Sequence, residues 1–550
     1  MHKTMFIFLL LSICVESKGD TEDSRHPGQS TVGEQIRQTS GYIPRSGRSS
    51  PDFSGHLLVV PFDGSHWIGI KAIAQELGRR GHRVTVVMPE ITMRMGPGEH
   101  FDTVTYPVPY GREDVEELMA MHMEVMRSAH QSFMERVNVR ISQIQKLTWI
   151  LHSTAESLLF NDSLISTLQQ QRFDAVLTDP FVPTGSLLAR KLGLPSLNLL
   201  RGIPCGMDWK SMACPSPPSY VPRMLSGFTD QMTFKQRVIN TLLSVLEPLM
   251  CRLMYWHFDT IAQQFLGEDV GIAEVVSESD IWLQRIDFSL EFPRPLMPNV
   301  VLVGGINCEV KNPLPEEMEP WVSAEHGFVV FTLGTMVSSL PEEITTIFIE
   351  AFRRIPQKVI WRYTGPVPDN LPENVKVMKW VPQNDLLAHP GARAFITHSG
   401  SHGIYEGLCH AVPMVMVPLG GDQPDNAQRM ASRGAGVILD ITTVTVDDLL
   451  NGLDEVINNT RYKDNLKKLS EVHKDRPMDP LALSVYWTEY VMRHKGARHL
   501  RPAAHDLNWF QYHSLDVITL LVTVVMLVIM VTFKCIALCL RRVIRKKKQE

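Results

Sequence analysis

Short apolar runs, each stopped by a polar or glycine turn and followed by a stretch of helical period, recur along this chain. The first, His56-Leu-Leu-Val-Val-Pro, reads as a strand buried on both faces. Phe62-Asp-Gly-Ser-His66-Trp turns into a helix over Ile68 to Arg80, Gly81-His-Arg ends it, and Val84-Thr-Val-Val-Met is the next strand. That is a βαβ opening of the Rossmann sort, without the G-x-G-x-x-G of a dinucleotide site. The pattern returns at Phe173 to Thr178, Phe328 to Thr332, Val359 to Arg362, Ala394 to Ile396 and Val412 to Val417. Pro293 to Pro298 reads as a hinge, with Val300 to Ile306 opening a second set of strands. The expectation is α/β: two Rossmann-like domains facing a cleft, residues 53–293 and 294–480.

The two ends break the pattern. Residues 1–18 have a short basic start and an apolar core too short to span a bilayer comfortably, which is the form of a secretory signal. Residues 19–52 are polar and aperiodic, a flexible leader. Residues 481–515 carry a helical segment and a membrane-proximal stretch, and 516–540 form an apolar run that suffices for one transmembrane helix. The basic tail 541–550 then sets the orientation: tail in the cytoplasm, body in the lumen. Lys547 and Lys548 match a dilysine address of the endoplasmic reticulum, so a single-pass type I protein of that membrane is expected.

Charge and cysteines narrow the picture. A net charge of −5 over 550 residues, with no basic block in the body, excludes an electrostatic case for nucleic acid. Of eight cysteines, five lie in the body; Cys205 and Cys214 are the nearest pair for a disulfide, and mostly buried thiols are the preferred reading. Asn161-Asp-Ser and Asn458-Asn-Thr are N-glycosylation acceptors in a lumen.

Candidate chemistry gathers where strands stop, which is where open α/β sheets hold ligands. His66 follows the first strand, on a loop, and can accept a proton near neutrality. Asp179 follows Phe173 to Thr178; a carboxylate on one ring nitrogen would fix the imidazole tautomer. Thr332 opens a small-residue turn suited to a diphosphate, and Arg362 is a strand-end cation. The densest block runs from Trp380 to Gln423: Trp380 and Gln383, then His398-Ser-Gly400-Ser-His402 with Glu406 a turn on, then Asp422-Gln423. A stacking ring, an amide, a strand-end His and a helix-borne carboxylate suit a nucleotide-linked ligand. Met119, Met121, Met123, Met126 and Met134 in the helical stretch Glu113 to Gln170 would suit a permissive apolar pocket, and equally plain helix packing.

That block resembles the nucleotide-sugar signature of the UDP-glycosyltransferases, and its wording is similar to the vertebrate microsomal UDP-glucuronosyltransferases of family 1, over about Gly55 to Lys548. The resemblance implies a GT-B fold, donor on the second lobe and acceptor on the first. It implies Trp380 stacked on uracil, Gln383 on the nucleoside, His398 at the diphosphate, Glu406 on the ribose, and Asp422 with Gln423 on the sugar. It makes His66 and Asp179 a catalytic dyad and sends the closing helix back onto the first domain. It further implies an inverting transfer from UDP-glucuronic acid, a co-substrate, to small lipophilic acceptors, with no obligatory metal or cofactor, and self-association or association with related transferases. Transfer of glucose or galactose, and a non-catalytic sugar-nucleotide binder, are the competing readings. The chain departs from the family at Thr332 and Thr335, where serines are usual, and at Gly420-Gly421, where a bulky residue is expected.

Overall fold

The computed structural model describes residues 53–127, 133–201, 211–308, 313–334, 337 and 340–547. The expected signal and leader, Cys205, Thr335 and Lys548 lie outside them. It divides into two units, residues 1–499 and 500–550.

The first unit holds two parallel sheets. The first, in the order β3-β2-β1-β4-β5-β6-β7, comprises β1 (His56–Val60), β2 (Arg83–Pro89), β3 (Asp102–Tyr106), β4 (Ala175–Thr178), β5 (Ser196–Leu200), β6 (Ile281–Gln284) and β7 (Val300–Leu302). The second runs β10-β9-β8-β11-β12-β13: β8 (Phe328–Thr332), β9 (Lys358–Arg362), β10 (Val375–Met378), β11 (Ala392–Thr397), β12 (Met414–Met416) and β13 (Gly436–Ile438). Every residue of β1, β4, β5, β6 and β8 is buried, which is why β1, β4 and β8 read as near-continuous apolar runs; β5 also buries the polar Ser196 and Asn198.

Helices cover both faces of the first sheet: α1 (His66–Arg79), α2 (Arg112–Arg127), α3 (Phe133–Leu159), α4 (Asp162–Gln170), α5 (Thr184–Leu192), α6 (Phe234–Leu266) and α7 (Ile272–Ser277). Around the second sheet stand α8 (Glu342–Arg353), α9 (Gln383–Ala388), α10 (Ser401–Cys409), α11 (Gln423–Ser432), α12 (Val446–Asn458) and α13 (Thr460–Lys474). One core packs Leu58, Val176 and Trp282 under α5 and α6; another stacks Phe331 on both Phe348 and Trp361.

One boundary moves. Val300–Leu302 pairs in parallel with β6, so it closes the first sheet instead of opening the second, and the lobe boundary lies after it rather than at residue 293. A prolines-only hinge reading missed this because a short strand at a sheet edge carries little periodicity. The closing helix α14 (Pro480–His494) packs against α1, β4, β5 and β6 of the first lobe, as the resemblance implied. Its Glu489 meets Arg80 at 3.3 Å and His82 at 3.4 Å.

The second unit is dominated by α15 (Leu515–Lys547), whose stretch Leu515–Arg545 holds an 18-residue window of mean hydropathy 2.6 and is long and apolar enough to cross a membrane. It continues as helix through Arg541 and Arg542, where the sequence reading had begun a tail.

Candidate active site

In each sheet the strand order reverses once, between β1 and β4 in the first and between β8 and β11 in the second. Such a switch point opens a crevice at the carboxyl ends of the strands, because the connecting helices leave on opposite faces. The sequence-derived residues cluster at these two points.

At the first, Gly64 takes a φ of 77°, turning the chain so sharply that α1 starts at His66 itself. His66 thus stands on a helical first turn, not on a loop as expected, with a fixed ring direction. Its Nδ1 lies 2.6 Å from Asp179 Oδ2. Asp179, at the end of β4, is 1% exposed, and its Oδ1 accepts from the Phe181 N–H at 2.9 Å. Phe62 and Phe181 flank the imidazole at 4.9 and 5.5 Å between ring centroids. With Nδ1 donating to the carboxylate, Nε2 keeps its lone pair for a proton from outside.

At the second, β11 ends in Thr397-His398-Ser399-Gly400, with Ser399 in the left-handed region at φ 66°. A Cβ at either Gly334, after β8, or Gly400 would enter the His398 ring, so both glycines exist to admit that ring. Burial drives the His398 imidazole down to about 4, against the pull of Asp422, and its Nδ1 has no hydrogen-bond partner. It is a neutral ring with an unfilled polar atom facing a cleft. Arg362, at the end of β9, donates through Nη1 to the Gly334 carbonyl.

Around this point the remaining residues fall into place. Trp380 is 58% exposed at the cleft mouth, with Arg94 from the first lobe 5.0 Å and Arg362 5.9 Å from its centroid. Gln383 opens α9 and donates through Nε2 to Glu406 Oε2 across from α10; burial pushes Glu406 up to about 7. Thr332 is buried and its Oγ1 accepts from the Gly334 N–H at 3.2 Å. Gln423 Oε1 accepts from the Leu419 and Gly420 N–H groups at 2.7 and 3.2 Å, tightening a turn in which Gly421 has φ 61°. That backbone favours glycine at 421, whereas the departure from the family falls at Gly420, where a Cβ would meet nothing within 4 Å.

His402 is engaged through both ring nitrogens. Its Nε2 lies 2.6 Å from Arg285 Nη1 and 3.0 Å from the Ser65 carbonyl, and its Nδ1 lies 3.0 Å from Asn307 Nδ2. It ties α10 to the turn at Ser65 just before α1, and it lines the same cleft. A strand-end His pair in the sequence could not say which ring turned which way.

Several residues escaped the sequence reading. Arg201 follows β5 directly and Arg285 follows β6, the same strand-end position that singled out His66 and Asp179, and that rule applied throughout would have found both. Arg201 bonds Glu291 at 2.7 Å and Asp422 at 3.2 Å. Burial would raise the Glu291 carboxyl, yet Arg201 and Arg429 hold it below its ordinary range. Asp425, beside Gln423, accepts from the Leu225 and Gly227 N–H groups of the first lobe at 2.7 and 2.9 Å. No spacing signals that pair, which lies some two hundred positions apart.

His66, Arg362, Trp380, Gln383, His398, Glu406, Asp422 and Gln423 all line one cavity of about 1090 Å³. Its first-lobe wall is mixed: an apolar patch of Phe181, Leu200, Met212, Met224 and Leu296 stands among charged residues that include Arg94, Arg201, Arg285 and Glu291. Among the described residues, none lining it comes from the methionine-rich stretch; Met119 instead packs with Val115, Leu118 and Ile150 between helices, the plain alternative. The side chains of Met123 and Met126 lie outside the described residues.

Cysteines also part from expectation. Cys308 and Cys409 form a disulfide that spans 101 positions, a pairing that sequence distance disfavours and that the fold brings about at the carboxyl end of α10. Among the described residues these two sulfurs with His473 make the one grouping of metal-type ligands, and the sulfurs are bonded to each other. Asn161 caps α4 through its side-chain oxygen, and Asn458 is exposed at the end of α12 with its amide on Asp454 at 2.7 Å.

Comparison with known proteins agrees with this geometry. A family model described as UDP-glucoronosyl and UDP-glucosyl transferase matches residues 55–550. The chain is 49% identical to UDP-glucuronosyltransferase 1A1 of Rattus norvegicus over 492 residues, 89% of this chain and 91% of that one. It is 48% identical to UDP-glucuronosyltransferase 1A1 of Homo sapiens over 497 residues, 90% and 93% of the two chains. Among solved structures, the spinosyn forosaminyltransferase SpnP aligns with a TM-score of 0.54 at 18% identity over 80% of this chain and 99% of its own. The glycosyltransferase VinC in complex with DTDP aligns with a TM-score of 0.53 at 17% identity, covering 80% and 100%. The fold is therefore GT-B.

Proposed function

The chain belongs to the UDP-glucoronosyl and UDP-glucosyl transferase family and is a UDP-glycosyltransferase, and from that premise we propose that it transfers glucuronic acid from UDP-glucuronic acid to small lipophilic acceptors, giving β-glucuronides. The observation that carries this reading is the single cavity shared by the His66–Asp179 pair and the donor-side group around His398.

In the proposed reaction the acceptor hydroxyl lies against the apolar patch of the first-lobe wall and gives its proton to His66 Nε2 as its oxygen attacks the anomeric carbon. Asp179 holds the ring in the required tautomer and steadies the imidazolium that forms. The bond from the anomeric carbon to the diphosphate oxygen breaks, and the leaving charge is met by the His398 turn, the backbone amides at Gly334 and Gly400 and the Arg362 guanidinium. A single displacement inverts the anomeric centre. Trp380 would stack on the base, with Gln383 and Glu406 on the nucleoside and Asp422 and Gln423 on the sugar. The VinC complex, a GT-B protein with a nucleoside diphosphate, supports a donor on the second lobe. No step calls for a metal or cofactor. The apolar part of α15 supports a single-pass anchor, and the basic residues at its carboxyl end a luminal body, so the reticulum membrane is the proposed site.

Membranes carrying the chain, incubated with a phenol and radiolabelled UDP-glucuronic acid or UDP-glucose, test this directly. A β-linked glucuronide is expected, with His66→Ala reducing turnover by about 10² to 10⁴. Labelled glucoside alone would overturn the donor, and a His66→Ala enzyme with normal turnover on hydroxyl acceptors would overturn the base.

A further inference from the structure

The helix α6 presents an outward face that no described residue of the first unit covers. Phe234, Val238, Leu242, Val245, Leu249 and Trp256 recur along it at three-, four- or seven-residue steps, so they form one stripe, roughly 33 Å long at 1.5 Å per residue. Their exposures run from 44% to 75%. The helix is long and apolar enough to cross a membrane, yet only 11% of its most apolar stretch is buried, so it is not a core helix. Nor does it span a bilayer, because its other face is committed to α3, α5 and α7 through Tyr255, Phe258, Ile261 and Phe265.

The charges on α6 are as one-sided as its apolar residues. Between Phe234 and Phe258 the solvent-facing charges are Lys235, Arg237 and Arg252. The only acidic residue there, Glu247, is turned inward onto Arg223 at 3.2 Å. An aromatic at each end of an apolar stripe, flanked only by cations, is the pattern of a helix lying in the headgroup region of an anionic lipid surface. A bilayer surface is at hand, since the same chain carries a helix fit to cross one, and tethering gives the second contact a high effective concentration.

We propose that α6 docks the first lobe onto an anionic lipid surface, with its apolar stripe in the interfacial layer. The helix is also a wall of the cleft, because Glu247 and Arg223 both line the cavity. A lipophilic acceptor dissolved in the bilayer would then reach the cleft without crossing water. This second consequence rests on the acceptor class proposed above, whereas the docking itself does not.

The test uses the full chain in phosphatidylcholine–phosphatidylserine vesicles, with an environment-sensitive fluorescent amino acid inserted at position 245. A second protein carries it at position 472, where Val472 is 67% exposed on α13. Docking is expected to shift emission at 245 to the blue and to let brominated acyl chains quench it, with emission at 472 unchanged. Matching emission at the two positions would overturn the proposal. So would a blue shift without lipid quenching that disappears in nanodiscs holding one copy, since a second copy of the chain would then be the occupant. For the acceptor route, the double substitution Leu242→Glu with Leu249→Glu should raise the apparent KM of a membrane-partitioning phenol several-fold and leave that of a small water-soluble phenol unchanged. Equal effects on both phenols would overturn the route while leaving the emission result to judge the docking.

Discussion

The two lobes put their chemistry at the same topological place and furnish it in opposite ways. At the β1/β4 switch the first lobe holds a charged partner, Asp179, almost wholly away from water and aims one imidazole nitrogen at it. At the β8/β11 switch the second lobe surrounds an imidazole with glycine backbone, holds it neutral and leaves its Nδ1 without a partner. One histidine is coupled and the other is cleared of neighbours. The fold thus settles where a ligand can sit, and the residues flanking each ring settle whether that ring moves a proton or makes room for a ligand.

Four substitutions probe that contrast. The largest effect is expected at Asp179→Asn, which keeps the shape and loses the charge: turnover should fall by about 10⁴, as when a catalytic His is left in the wrong tautomer, with donor affinity retained. Equal losses in turnover and in UDP binding, measured by steady-state kinetics and calorimetry, would mean that the pair is structural. Gly400→Ala should act the other way round. Its backbone is already in an extended region open to any residue, so only the His398 ring is disturbed, and UDP affinity should fall by roughly 10- to 100-fold, about 1.4 to 2.7 kcal/mol. A normal dissociation constant for UDP would remove His398 from the donor site.

The third concerns pH. Glu406 is held protonated up to about 7 by burial, so it is neutral below that value and ionised above it. If the carboxylate is what accepts donor hydroxyls, the donor KM should drop as pH rises through about 7, and Glu406→Gln should flatten the profile. The stability sign is the reverse: an acid raised in the folded state favours folding below its unfolded value near 4.5, and that contribution fades as pH climbs from there to about 7. The smallest effect is expected at Asp425→Ala, which frees the Leu225 and Gly227 amides of the first lobe. Acceptor KM should rise a few-fold with turnover nearly intact, consistent with about 1 kcal/mol for a charge-assisted bond shared between lobes. A change confined to the donor KM would instead assign Asp425 to the second lobe alone.

Legibility followed the same division. The second-lobe site was readable because Trp380 to Gln423 compresses it into one stretch, where a ring, an amide, a histidine and two acids stand in order. The first-lobe pair lies 113 positions apart, and only the strand-end rule joined His66 to Asp179. That rule also covers Arg201 and Arg285, which were overlooked because a basic residue after a strand has many bland explanations. Contacts made by tertiary closure left no trace in spacing: Asp425 on the 225–227 backbone, His402 turned onto Arg285, and Cys308 joined to Cys409. The methionine-rich stretch misled in the other direction, since a residue suited to adaptable pockets is equally suited to packing helices.

The return of α14 to the first lobe has a consequence for how the protein is made. Synthesis runs at about 5 to 20 residues per second, so roughly ten to forty seconds separate completion of β7 from the emergence of α14. During that interval the first lobe has its sheet but lacks the helix that packs on α1 and brings Glu489 to His82 and Arg80. A nascent chain in this condition offers an unsealed apolar seam to chaperones, and a stop codon shortly before Pro480 would cripple the half of the molecule that ribosomes finished first.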